Sequence, residues 1–422
     1  MPTAEQDRDD DRGGRLSAVH LVVLVCVAQA LVQIGAFFWP ALLPGMIALW
    51  GLTNSEAGWI TAIFYAAYIL AVPILVTLTD RVDAKRVYLG GVATTVLGHL
   101  LFAFLADGFW SALIARALTG VGWAGTYMTG LKLLADKVDG KLMSRAAAGH
   151  AASIGISGAL SFACAHVIAE WAGWRAAFLV GGVSAALAWL LVSLAAPGRA
   201  PPPAKSDHAL FDFRPVFRNR SAMAYAIAYC IHTLEMSALR GWGVAFLGFV
   251  ALATGASGAL LSPTTTLTLL GLLGTLASVL GNEAAIGLGR RRLISLAMIA
   301  SAVCAGLLGF VGTHSYPIAV GLMLIYGVIV WLDSSSLTAG TAGTAEPSRR
   351  GATLAVHSML GYIGGFVGPL AVGWVLDLQG GMSATAWAAA FSMIAAFMLL
   401  ALAAFLIMRP RALAGDRGAE PG

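Results

Sequence analysis

Twelve apolar stretches of about 20 residues each, nearly free of charge, alternate in this chain with short charged turns. That length matches a helix crossing a hydrocarbon core of roughly 30 Å. The apolar residues come in blocks rather than at amphipathic spacing, which is the pattern of membrane helices. The spans read as 17–40, 56–79, 87–107, 109–134, 146–169, 174–196, 221–250, 256–281, 292–312, 316–342, 351–377 and 384–408. With 59% hydrophobic and 11% charged residues, the composition lies outside that of soluble globular proteins. Fifty glycines would weaken soluble helices but let membrane helices approach closely.

Charge placement sets both the topology and the excluded functions. The net charge of +5 might suggest nucleic acid, but the cations sit in turns and form no basic domain. All Lys and Arg except Arg116, Lys132, Arg175 and Arg240 fall on one side when alternate loops are assigned to alternate sides. By the positive-inside rule that side is cytoplasmic and carries both termini. The four cysteines occupy four different spans at no metal-ligand spacing, so no disulfide, metal or cofactor is expected. The polar, acidic N-terminus does not read as a signal peptide, and the first span is expected to remain as an anchor.

The longest polar segment contains Pro201-Pro202-Pro203 and divides the spans six and six. The expected organisation is a disordered cytoplasmic N-terminus (1–16), a first bundle (17–196), a cytoplasmic linker (197–220), a second bundle (221–408) and a cytoplasmic tail (409–422). An internal repeat supports two related halves. His150 pairs with His357 and Gly158 with Gly365, both 207 residues apart, and Trp174-Arg-Ala-Ala-Phe178 is echoed by Trp387-Ala-Ala-Ala-Phe391. The fold class is therefore an all-α membrane protein of twelve transmembrane helices in two pseudo-symmetric six-helix bundles.

The turn after the second span reads Val76-Thr-Leu78-Thr-Asp80-Arg81-Val-Asp83-Ala-Lys85-Arg86. With the six-plus-six layout it resembles the major facilitator superfamily, whose signature there is Gly-x-Leu-x-Asp-Arg-x-Gly-Arg-Lys. Leu78, Asp80, Arg81 and Lys85 match, while Val76 and Asp83 replace the two glycines. A second signature, Arg-x-x-x-Gly-x-Gly, matches Arg116, Gly120 and Gly122, and a weaker counterpart of the turn runs from Gly281 to Arg292. The resemblance implies a secondary transporter whose bundles rock about a central site. It further implies that helices one, four, seven and ten line that site. Asp80, Arg81, Lys85 and Arg86 would then form a cytoplasmic latch between helices two and eleven, with Asp80 facing the positive end of helix eleven.

Ionisable residues within spans are costly, so they are candidate functional groups. On the seventh span Tyr225, Tyr229, His232, Met236 and Arg240 form one stripe at 100° per residue, with Glu235 at its edge. On the fourth, Arg116, Gly120, Trp123 and Tyr127 share a face. The first offers Gln29 and Gln33, with Phe37 one turn on, and the tenth offers Tyr326 and Asp333. Substrate-binding candidates are thus Gln29, Gln33, Arg116, Trp123, Tyr127, Tyr229, His232, Arg240 and Tyr326. A low dielectric favours the neutral, proton-bearing form of a carboxyl group, which makes Glu235 and Asp333 the proton-coupling candidates with His232 as a relay. His150 and His357 are open between helix packing and function.

The chain lacks a Walker lysine loop, a metal-ligand cluster and a nucleophile triad, so the expectation is no enzyme and no ATP. The expected function is proton-coupled symport of a small anionic or zwitterionic organic solute across a bacterial inner membrane, by a monomer with no nucleic-acid partner. Proton-driven efflux of drugs or metabolites is the alternative, and a non-transporting sensor or intramembrane enzyme the remote one.

Overall fold

The computed structural model describes residues 18–79, 81–138, 140–198, 213–256, 260–413 and 416–417. Among them every long element is helical. The first half contains α1 (Ala18–Gln33), α2 (Phe38–Trp50), α3 (Asn54–Leu78), α4 (Ala84–Leu105), α5 (Phe109–Ala124), α6 (Tyr127–Ala135) and α7 (Gly140–Ala195). A short α8 (Arg214–Arg218) leads into α9 (Arg220–Thr254), α10 (Pro263–Leu288), α11 (Arg290–Phe310), α12 (Tyr316–Leu332), α13 (Ser334–Thr344), α14 (Arg350–Leu378) and α15 (Ala384–Met408). Ten of the resulting segments are long and apolar enough to cross a membrane. One of these, Arg145–Ala195, is two spans joined at Gly173, whose φ of 81° only glycine adopts without strain. With the broken pair α5–α6 the spans number twelve. Large apolar side chains such as Leu70, Ile74, Trp110 and Trp171 cover the outside, as a lipid-facing surface requires.

Local chemistry explains where the helices start. Thr53 and Glu56 form a capping box on α3, Asn219 caps α9, and Ser383 caps α15. Asp83, which stands where the family's turn has its second glycine, accepts the Lys85 amide proton and caps α4. Ser262 caps α10 with Pro263 in its first turn, so the eighth span is Pro263–Leu288 rather than 256–281. That shift places Gly281 to Leu288 inside a helix. The counterpart turn shrinks to Gly289, held at φ 90°.

The first span is also longer than its expected 17–40, reaching Trp50 after a bend at residues 34–37. Because the helix restarts at Phe38, Pro40 falls in a first turn, where its missing N–H costs nothing. The fourth and tenth spans, expected to be continuous, break at Gly125–Thr126 and at Asp333. Asp333 follows Thr126 by 207 residues, the interval separating His150 from His357, so the two breaks are repeat-related.

The halves meet where α3 packs along α14, α7 along α10, and α2 along α9. Small residues permit this approach: a side chain at Gly58 of α3 would strike the Pro369 backbone of α14. The segment after α15 folds back on the second half. Asp416 makes a bidentate pair with Arg290 at 2.9 and 3.0 Å, and the Tyr225 hydroxyl donates to the Arg411 carbonyl at 3.0 Å.

Candidate functional site

The break at Asp333 brings its carboxyl to α9. Asp333 Oδ1 lies 2.9 Å from His232 Nδ1, and the two side chains are 3% and 1% exposed. One turn along α9, the fully buried Glu235 accepts a 2.6 Å hydrogen bond from the Tyr326 hydroxyl of α12. Tyr326 and Asp333, two helical turns apart, thus face Glu235 and His232. The α9 stripe divides accordingly. Tyr225 is taken up by the C-terminal segment, while Tyr229 stacks on His232 with ring centres 5.6 Å apart. Tyr229 also stacks at 4.0 Å on His357 of α14, whose two ring nitrogens meet Thr338 and Thr341 of α13.

Two guanidinium groups lie near the junction of the halves. Arg116, 2% exposed, donates from Nη1 to the Ala36 carbonyl at 3.1 Å and stands 4.7 Å over the Phe64 ring. Its carbonyl partner is freed by the bend in the first span. Arg240 lies between Phe37 at 5.0 Å and Trp331 at 4.6 Å. Aromatic faces attract a cation without neutralising it. Among the described residues neither guanidinium has an ion pair. Beside Phe64, Trp123 keeps a buried indole N–H without an acceptor, as does Nε of Arg116. Buried donors of this kind are costly unless something supplies an acceptor.

Two expected groupings are interrupted by a break in their helix. Gln29 and Gln33 sit one turn apart on α1, but Phe37 does not continue their face, because the helix is interrupted after Gln33: Gln29 packs near Tyr88 in the first half, whereas Phe37 turns to Arg240 and Trp123. Gln33 is buried at the end of α1. The break at Gly125–Thr126 sets Tyr127 on a different helix from Arg116 and Trp123, and its carbonyl bonds His150, yet its side chain packs against the same core as Trp123. Residues of α3 and α14 that the sequence did not single out join the centre, where Tyr68 and Tyr362 stack at 3.6 Å across the halves.

Of the expected latch, Asp80 lies outside the described residues. Arg81 and Arg86 are exposed. Lys85 donates to the Ser193 and Ala196 carbonyls at 2.9 and 2.6 Å, which ties the third span to the sixth within one half. A carboxylate on a helix N-terminus does join the second and eleventh spans, but at the opposite end and with the roles exchanged. Asp377 of α14 accepts hydrogen bonds from the Asn54 amide N (3.0 Å), Asn54 Nδ2 (2.8 Å) and the Ser55 amide N (2.7 Å) at the start of α3.

Comparison with known proteins accords with this architecture. The model of the Major Facilitator Superfamily matches residues 25–287, more than half of the chain. The chain belongs to the major facilitator superfamily. This superfamily member is a multi-pass membrane transporter and not an enzyme. It is 26% identical to human protein spinster homolog 1 over 384 residues, 85% of this chain and 72% of the human one. The match to bovine spinster homolog 1, also 26% identical, spans 47% of that protein. Its fold superimposes, with a TM-score of 0.74 at 15% identity, on an inward-facing, occupied bacterial homolog of the human lysosomal transporter Spinster, covering 93% of this chain and 96% of that one. The human organic anion transporter MFSD10 gives 0.65 at 17% identity, covering 93% and 100%.

Proposed function

We propose that this transporter carries a small organic anion across a bacterial plasma membrane together with a proton, as a monomer with both termini and the linker 197–220 on the cytoplasmic side. One observation supports this above all: the buried acids and the buried bases do not neutralise one another. Glu235 accepts from a tyrosine hydroxyl and Asp333 lies 2.9 Å from an imidazole nitrogen, whereas Arg116 and Arg240 rest on aromatic rings. Structural glue would pair them, since leaving one partner of a buried pair uncompensated is strongly destabilising.

Kept apart, the groups are suited to two separate cargoes. Arg116, Arg240 and the Trp123 indole offer donors to a carboxylate, with Phe37, Phe64 and Tyr127 available to an aromatic or apolar body. Glu235 and Asp333 offer proton sites within the second half. A carboxylate moving with one proton crosses as a neutral load, which lowers the cost of taking charge through low dielectric. Each unit of pH difference then supplies about 1.4 kcal/mol, a tenfold accumulation. Among proteins related by fold, one is an organic anion transporter.

Proteoliposomes containing a pH-sensitive dye test this directly. Beyond the rate in protein-free vesicles, which neutral benzoic acid crosses unaided, added benzoate should move protons across the vesicle wall in the same direction as itself, and benzamide should not. Benzoate flux without proton movement, or equal flux of benzamide, would refute the proposal.

A further inference from the structure

We propose that His357 is a proton-relay residue connecting the Asp333–His232 pair to the end of the second bundle at which α15 finishes. The inference rests on the proton coupling proposed above and names a path for that proton. His357 links a buried hydroxyl to an exposed one. Its Nδ1 lies 3.0 Å from the hydroxyl of the fully buried Thr341, and its Nε2 lies 3.2 Å from that of Thr338, which is exposed. The ionisable groups facing it from α9 are Tyr229 and His232, with Asp333 behind His232. Both imidazoles stack on Tyr229, so their centres can be no farther apart than those two stacking distances together.

The steps balance with water as the only added reactant. Protonated Asp333 gives its proton to His232 Nδ1, breaking O–H and forming N–H. The resulting imidazolium releases a proton from Nε2 to a bridging water, which hands one to His357. His357 releases a proton from its other nitrogen to water at Thr338. His150, the repeat mate of His357, lacks such a source: its Nε2 meets the Tyr127 carbonyl, and Thr126 stands where the second half has Asp333. The relay therefore belongs to the second half alone.

Time-resolved infrared spectroscopy of the carboxyl C=O band after a pH jump tests this in full-length protein in liposomes, with no substrate required. Wild type should show a band that titrates and is altered by both Glu235→Gln and Asp333→Asn. In His357→Gln, which keeps a hydrogen-bonding side chain, the band should keep its amplitude but rise at least tenfold more slowly. Thr338→Val, which leaves the imidazole and Thr341 in place, should slow it in the same sense. An unchanged rate in His357→Gln overturns the relay, and so does a lost or displaced band, which marks a packing role. Absence of any titrating band in wild type overturns the proton coupling itself.

Discussion

Removing the Asp377 carboxyl should loosen the closed end of the molecule by an amount the structure bounds. Three donors converge on that group, two of them backbone N–H groups in the first turn of α3. Hydrogen bonds to a charged acceptor contribute about 1.5–3 kcal/mol each when well buried. Asp377 is only half-buried and Thr53 already caps α3, so the smaller values for helix-end contacts apply, about 0.5–2 kcal/mol in all. Because the contact joins the two halves, that energy favours the conformation closed at this end over the one open there. Asp377→Ala should thus raise the open population roughly 2- to 30-fold. Spin labels at Trp110 and Gln379, exposed on the two halves, report the change as a second, longer distance in a double electron–electron resonance experiment. Asp377→Asn, which keeps one acceptor oxygen, should fall between. An identical distance distribution in wild type and Asp377→Ala would refute the assignment of this contact as a gate.

Further outcomes follow from other contacts. Arg116→Gln and Arg240→Gln should each weaken benzoate binding roughly 10- to 100-fold in calorimetry, the loss of one charge-assisted interaction, while an uncharged probe stays unaffected. Asp416→Ala leaves Arg290, 3% exposed, without its carboxylate; about 3–5 kcal/mol should be lost and the melting temperature should fall, with recovery in the double variant carrying Arg290→Met. Gly364→Ala places a methyl group against the Cys230 carbonyl, so the seventh and eleventh spans must separate and thermal stability should drop by about 1–3 kcal/mol.

Much of the fold was legible because lipid imposes a simple length rule, and the repeat joined His150 to His357 before any coordinates. The misplaced eighth span shows what hydropathy misses. Ala256 and Leu260 are as apolar as the helix that follows, and only Ser262-Pro263, a cap followed by a first-turn proline, marked the true start. The pairing of Tyr326 and Asp333 with Glu235 and His232 was half visible, since spacing gave the faces but not which helices met. Helical-wheel reasoning failed in the first span, where the bend at 34–37 takes Phe37 off the face of Gln29 and Gln33. Asp377 does not stand out in the sequence, because a contact across 322 residues leaves no local mark.

Whether the segregated acids carry the proton is tested most directly by benzoate accumulation in proteoliposomes under an imposed pH gradient, wild type against Glu235→Gln and Asp333→Asn. Above the passive entry of benzoic acid into protein-free vesicles, wild type should show a gradient-driven initial rate of benzoate accumulation, and both variants should lose that excess rate while still exchanging benzoate across the membrane. Undiminished accumulation by both variants would contradict the account.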